Sequence, residues 1–366
     1  MNIRSKEFDR DPYPFYESLR RKGGVHYLPD ENVWIVVSYS LATEVLRQPV
    51  RFSSSPFAHI SPSLHGADPP DHTIMRRMLN PYFTPEKQNA QKQSVVRHAR
   101  RTIARLQSLP VFDAARDLAL PIPFSVACEW LGLTEEVAGK LHAPPMKIDW
   151  SDIRPGLLEN GVLPDLARET SLTDAQLAEF SVFFLAASYG SSRDLLLLSL
   201  MLLIDRPDIV EHVTGNQELL PVLVDEILRL EPSAHTVLRR STGDVVLDGV
   251  AIPEGAIIWI SLGAANRDPA VFESPGELRL DRTSTRHLAF GIGPHHCLGS
   301  PLGRMESETI LRELLPLIPS IRPAGPMDIG FWDGFPGGAP SSRQIRSWPL
   351  RIEREVTTTK SKFFQW

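Results

Sequence analysis

The chain has 366 residues, 42% of them hydrophobic and 23% charged, the composition of a soluble globular protein with length for one large domain or two ordinary ones. Its net charge of −5, with no basic stripe carrying interleaved aromatics, gives no reason to expect a nucleic-acid partner. Two cysteines, Cys128 and Cys297, are too few for a disulfide framework and fit a reducing cytoplasm.

Residues 1–21 carry Arg4, Lys6, Glu7, Asp9, Arg10 and Asp11, so neither a signal segment nor a membrane anchor is expected there. A strand rich in β-branched residues around Trp34 is predicted over 33–37, and a helix over 41–47. Pro69 and Pro70 open a helix running through Met78, and the i, i+4 spacing of His72 and Arg76 puts both side chains on one face, where they can meet carboxylates. Cys128 follows Val126 and Ala127 in an apolar stretch that predicts a buried structural thiol. Between Leu133 and Asp174, Pro144, Pro145, Pro155, Gly156, Gly161 and Pro164 exclude any helix longer than about ten residues.

A long proline-free helix is predicted over 173–204, with Phe180, Phe183, Phe184 and Ala187 at helical spacing. Its apolar run over 195–204 is too short to span a bilayer and reads as buried core. Glu226 and Arg229 then share one side of an apolar helix over 221–230 that stops before Pro232. Residues 237–242, a hairpin over 245–252 and residues 256–261 follow as strands, and residues 357–366 form a frayed tail after the last strand.

Near the end lies the most informative segment, Phe290, Gly291, Ile292, Gly293, Pro294, His295, His296, Cys297, Leu298 and Gly299, followed by an amphipathic helix ending at Pro316. The glycines let backbone approach a flat macrocycle, and amides at the helix start favour a thiolate on Cys297, suited to ligating a haem iron. A thiolate ligand pushes electron density towards O–O bond cleavage.

This segment resembles the cysteine-ligand loop of the cytochrome P-450 superfamily, F-G-x-G-x-H-x-C-L-G, at every fixed position. The resemblance extends from residue 11 to about 353 and includes the opening D-P-Y-P-x-Y, the H-x-x-x-R of His72 and Arg76, and the E-x-x-R of Glu226 and Arg229. It implies a mainly α fold with small β-sheets in a single haem-thiolate domain over 1–356. Cys297 is the implied iron ligand, with Phe290, Gly291, His295 and Gly299 around the haem b, His72, Arg76, Arg239 and His287 on its carboxylates, and Glu226 and Arg229 as a structural pair. Arg240 is the alternative to Arg239. The family further implies electrons from NAD(P)H through a reductase and a ferredoxin, a cytoplasmic monooxygenase, and an organic substrate of secondary metabolism.

Two departures from the family stand out. Its central helix carries A-G-x-D/E-T-T, an acid and an alcohol that deliver protons beside the haem. Here Gly190 takes the place of the acid, while Ser191 and Ser192 replace the alcohols. Either these serines still serve a relay, or they bond back to the preceding turn as helical serines often do. The second departure is the short 133–174 interval, which predicts a reduced roof over the substrate pocket. The roof is then open to a bulky or carrier-tethered substrate, or closed by loops 57–64 and 331–338 folding inward. Pocket walls are expected from Phe183, Phe184, Ala187, Ser188, Thr236, Val237 and Phe335. A peroxide-driven or non-oxygenating relative, and a non-catalytic helper of another enzyme, are the competing functions.

Overall fold

In the computed structural model, residues 3–142, 149–282, 286–334 and 338–353 are described. The predicted tail and Phe335 lie outside them. The architecture is organised by the central helix Asp174–Leu203, whose start is fixed by a reciprocal cap: Thr173 Oγ1 accepts from Gln176 N at 3.3 Å and Gln176 Oε1 accepts from Thr173 N at 3.0 Å. Leu195, Leu196, Leu197, Leu198 and Leu200 are all buried, because helices Pro121–Leu131, Leu220–Leu230 and Ser300–Leu314 surround this end of the rod. A helix that is apolar all round is stable only when enclosed in this way. Cys128 is buried in the Pro121–Leu131 helix, inside the same core.

A five-stranded sheet stands to one side, in the order Val25–Leu28, Val33–Val36, Ile257–Ser261, Thr236–Ser241 and Phe52–Ser53. The second and third strands pair in parallel, and the other neighbours are antiparallel. Both faces are covered: Val36, Ile258 and Ile260 pack on one side, and Ile35, Leu238 and Trp259 on the other. That explains the continuous rather than alternating hydrophobicity of these strands. Alternation within Thr236–Ser241 buries Arg239 and leaves Arg240 exposed, bonded to Gly255 O at 3.2 Å.

The 133–174 interval holds helices Glu135–His142 and Val162–Glu169, of eight residues each, and the short turn Trp150–Ile153. Above it, the segment after Phe57 folds inward. Phe57 and Ser61 are fully buried and Gly66 N donates to Ser61 O at 2.8 Å, closing a tight loop. Gly66 is required at that point, since a Cβ would lie 2.3 Å from the backbone of Ala58. Glu179 of the central helix clasps this loop, accepting from Ser61 Oγ at 2.6 Å, Ser63 N at 3.0 Å and Ser63 Oγ at 2.7 Å. Among the described residues no single helix is long and apolar enough to cross a membrane.

Candidate active site

The cysteine loop is shaped by two left-handed glycines, Gly291 at φ 65° and Gly293 at φ 80°. Gly293 lies against the Leu46 carbonyl near the end of helix Tyr39–Arg47, where a Cβ would come within 2.5 Å, so no other residue fits. Cys297 N donates to Phe290 O at 2.9 Å and His296 N to Gly293 O at 3.1 Å, which closes the loop three residues before helix Ser300–Leu314. The thiol is accessible to solvent and yet surrounded by protein, as a group lining an internal hollow is. Burial pushes the Cys297 thiol up, against the opposing pull of the Gly299 amide, Arg76 and Arg304. The expected lowering by helix amides is therefore present but outweighed in the protein alone.

Beside the loop lies a cluster of cationic and imidazole side chains with a shortage of anions. Arg239 is 5% exposed and its Nη1 donates only to Leu238 O, at 2.6 Å. His72 is 2% exposed, its ring 3.9 Å from that of His295, whose Nε2 lies 3.0 Å from Ser54 Oγ. Arg76 Nη1 donates to His296 O at 3.0 Å, tying the Asp71–Leu79 helix to the cysteine loop. Asp68 is the nearby acid, and it already accepts from Ser54 N at 2.8 Å and from Ser53 Oγ. Burial, then repulsion from Arg76, pushes His72 down to about 4; burial lowers Arg239 to about 10, with Asp68 opposing. The buried Nδ1 atoms of His72 and His65 have no hydrogen-bond partner. Such a cluster fits a partly buried dianion, and the two carboxylates of haem b supply one.

His287 does not join this cluster. Its Nδ1 accepts from Ala289 N at 3.2 Å and its Nε2 lies 3.3 Å from Asp225 Oδ1, so both ring nitrogens are committed on the other side of the loop and the expected carboxylate contact is corrected. Glu226 and Arg229 form a fully buried bidentate pair at 2.7 and 2.9 Å. Arg229 also donates to the carbonyls of Asn266, Pro275 and Glu277, and Glu226 accepts from Arg279 N and Arg282 Nε.

Across the hollow, Phe183, Ala187, Gly190 and Ser191 share one stripe of the central helix, and Ala187 and Ser191 are exposed on a rod otherwise mostly buried. A Cβ at Gly190 would meet nothing within 4 Å. Ser191 Oγ donates to Ala187 O at 2.7 Å and Ser188 Oγ to Phe184 O at 2.5 Å, so both hydroxyls bond back to the preceding turn. Ser192 points elsewhere, donating at 2.5 Å to Oε2 of Glu306 on the helix that follows Cys297. Burial raises Glu306 to about 7, and its Oε1 has no partner.

Of the remaining expected walls, Phe183 faces His65 with ring centroids 5.5 Å apart, and Val237 shares the strand face of Arg239. Phe184 is corrected to core, 4% exposed and packed on Phe83 and Phe180. Thr236 is likewise corrected: it is buried on the opposite strand face, beside Tyr16.

A cysteine loop with a carboxylate-hungry cluster alongside is the arrangement expected of a haem-thiolate oxidoreductase. The family model for cytochrome P450 matches residues 163–316. Cytochrome P450 144 of Mycobacterium tuberculosis is 28% identical over 88% of this chain and 86% of its own length. The beta-dihydromenaquinone-9 omega-hydroxylase of Mycobacterium bovis is 29% identical over 86% of this chain and 72% of its own. Among solved structures, CYP109E1 from Bacillus megaterium in complex with corticosterone superposes with a TM-score of 0.81 at 25% identity, covering 95% of this chain and 100% of that one. HmtN, a post-tailoring hydroxylase of himastatin biosynthesis, does so with a TM-score of 0.80 at 26% identity, covering 94% and 97%. These matches all identify a bacterial cytochrome P450 and indicate an oxidoreductase of its monooxygenase class, which implies haem as the cofactor.

Sequence reasoning missed Glu179, His65 and Glu306. Glu306 was legible: Leu302, Met305, Glu306 and Thr309 fall at i, i+3, i+4 and i+7, which puts an acid in the buried stripe. His65 and Glu179 meet only through tertiary folding, and no local pattern marks them.

Proposed function

We propose that this chain is a cytoplasmic monooxygenase that takes electrons singly from a ferredoxin, supplied by NAD(P)H through a reductase, and oxidises an organic substrate of secondary metabolism with protons drawn from Glu306 and Ser192. The observation that carries this reading is the Ser192–Glu306 hydrogen bond, an acid that exchanges its proton near neutrality held one residue from the cavity-facing Ser191. Bound haem b supplies the electron-transfer and oxygen chemistry. Cys297 would hold its iron, with Phe290, Gly291 and Gly299 shaping the loop. Arg239, His72, Arg76 and His295 would hold its carboxylates.

The chain's own residues then divide the work. Glu306 accepts from Ser192 through Oε2, and its partnerless Oε1 is the atom left to hold the proton, with Ser192 Oγ the first hydroxyl in contact with that carboxyl. Gly190 leaves room beside the helix for water where the family carries an acid. Ser191 keeps its hydroxyl on Ala187 O and serves the helix. Phe183, Ala187 and Val237 offer an apolar wall, and the relative that acts on a menaquinone and the neighbour that tailors himastatin favour a bulky organic substrate. Arg77, Lys87 and Lys92 are exposed on segments next to the cysteine loop, a basic face suited to an acidic ferredoxin. Two free cysteines and no disulfide among the described residues favour a reducing compartment.

The absent acid at Gly190 and the back-bonded Ser191 favour one second reading, a peroxide-driven or non-oxygenating enzyme. Both are tested by titrating the ferric protein with free acyl and amino acids and with the same groups tethered to a carrier protein, following the haem spin state, and then turning over any hit with ferredoxin and reductase or with peroxide alone. Oxygenated product only with the electron-transfer chain supports the monooxygenase; product only with peroxide supports the second reading. A spin shift confined to tethered compounds would mean that the roof receives a carrier.

A further inference from the structure

The loop over 57–66 brings an imidazole into the carboxylate cluster that the usual family markers do not include. His65 Nδ1 is buried and without a partner, although the ring is held firmly. It stacks on Phe57 with centroids 4.0 Å apart and planes 12° apart, and meets Phe183 of the central helix at 5.5 Å. The charged and titratable groups that act on it are Arg239, His59 and His72, and it acts in turn on His295. All of these are basic, and the acids nearby are already engaged, Asp68 by Ser53 and Ser54 and Glu179 by Ser61 and Ser63. A buried, unpaired ring nitrogen among basic groups costs stability unless an acceptor meets it.

We propose that His65 is a further contact for the carboxylates of the bound haem, donating a hydrogen bond from the 57–66 loop. The proposal rests on the haem reading above. Burial pushes His65 down to about 3, so the ring is neutral at neutral pH and acts as a single N–H donor to an anion. The same loop is fastened to the central helix by Glu179 through Ser61 and Ser63. His65 therefore joins the cofactor's edge to the loop that Glu179 fastens to the central helix.

The test uses the purified holoenzyme. A Soret band first establishes that haem is bound; its absence would overturn the haem reading and leave no carboxylate for His65 to meet. His65→Phe keeps the stacking ring and removes the nitrogens, and His65→Leu serves if that variant does not fold. Two quantities are read: the rate of haem transfer to apomyoglobin, and the propionate bending modes in the resonance Raman spectrum of the ferric protein. Loss of a hydrogen bond to a charged acceptor predicts transfer about tenfold faster, together with a shift of a propionate mode. Unchanged transfer overturns the proposal. Faster transfer with unchanged propionate modes overturns it too, since His65 would then only brace the loop.

Discussion

The two sides of the haem cavity are built on opposite principles. On the cysteine side the network is dense: Arg229 is saturated by Glu226 and three carbonyls, and Arg76 is tied to the loop through His296 O. On the distal side Gly190 faces open space, Ser191 turns back on its own helix, and the covering loop hangs on one carboxylate, Glu179. A saturated network fixes a ligand in one geometry. A sparse side can change its substrate and proton supply without disturbing the fold.

The comparison predicts that damage on the cysteine side is structural. Arg229→Ala leaves Glu226 buried without its bidentate partner and removes about 3–5 kcal/mol of stability, read as failure to retain haem and a lowered midpoint in denaturant. On the distal side the largest expected effect is chemical. Glu306→Gln keeps a hydrogen bond to Ser192 but loses the exchangeable proton, and turnover falls roughly 10²-fold while the Soret spectrum stays that of the wild type.

The same carboxyl sets a pH dependence. Its folded value of about 7 lies above the ordinary 4.5, so the native state binds more protons than the unfolded chain between these values. Stability contributed by protonated Glu306 is present below about 4.5 and is lost as pH rises towards about 7. Glu306→Gln should flatten that part of the stability profile, and a slope unchanged by the substitution would assign the titration to another group. Smaller still is the effect of Glu179→Gln, which weakens the clasp on Ser61 and Ser63. Limited proteolysis within 57–66 should then run about tenfold faster with no change in the thermal midpoint.

The cysteine side was legible in sequence because its chemistry is local. Gly291, Gly293 and Cys297 define their loop within seven residues, and Glu226 and Arg229 meet across one helical turn. The long central helix was legible for a related reason, the lack of proline and the Thr173–Gln176 cap. What escaped depends on contacts distant in the chain. His287 shares the cysteine-loop neighbourhood but is claimed by Asp225, 62 positions away. Phe184 follows helical spacing yet is absorbed by Phe83, and Thr236 differs from the neighbouring Val237 only in strand phase. Glu179 grips Ser61 across 118 positions, a meeting that no spacing rule announces.

The distal account stands on the contrast between Ser192, which is bonded to a protonable acid, and Ser191, which is bonded to its own helix. The measurement that tests it most directly is peroxide released per NADPH consumed, with a spin-shifting steroid or fatty acid as probe, in wild type, Glu306→Gln and Ser191→Ala. The account predicts that Glu306→Gln diverts electrons to peroxide while Ser191→Ala stays within about twofold of wild type. Peroxide leak in Ser191→Ala with wild-type coupling in Glu306→Gln would contradict it.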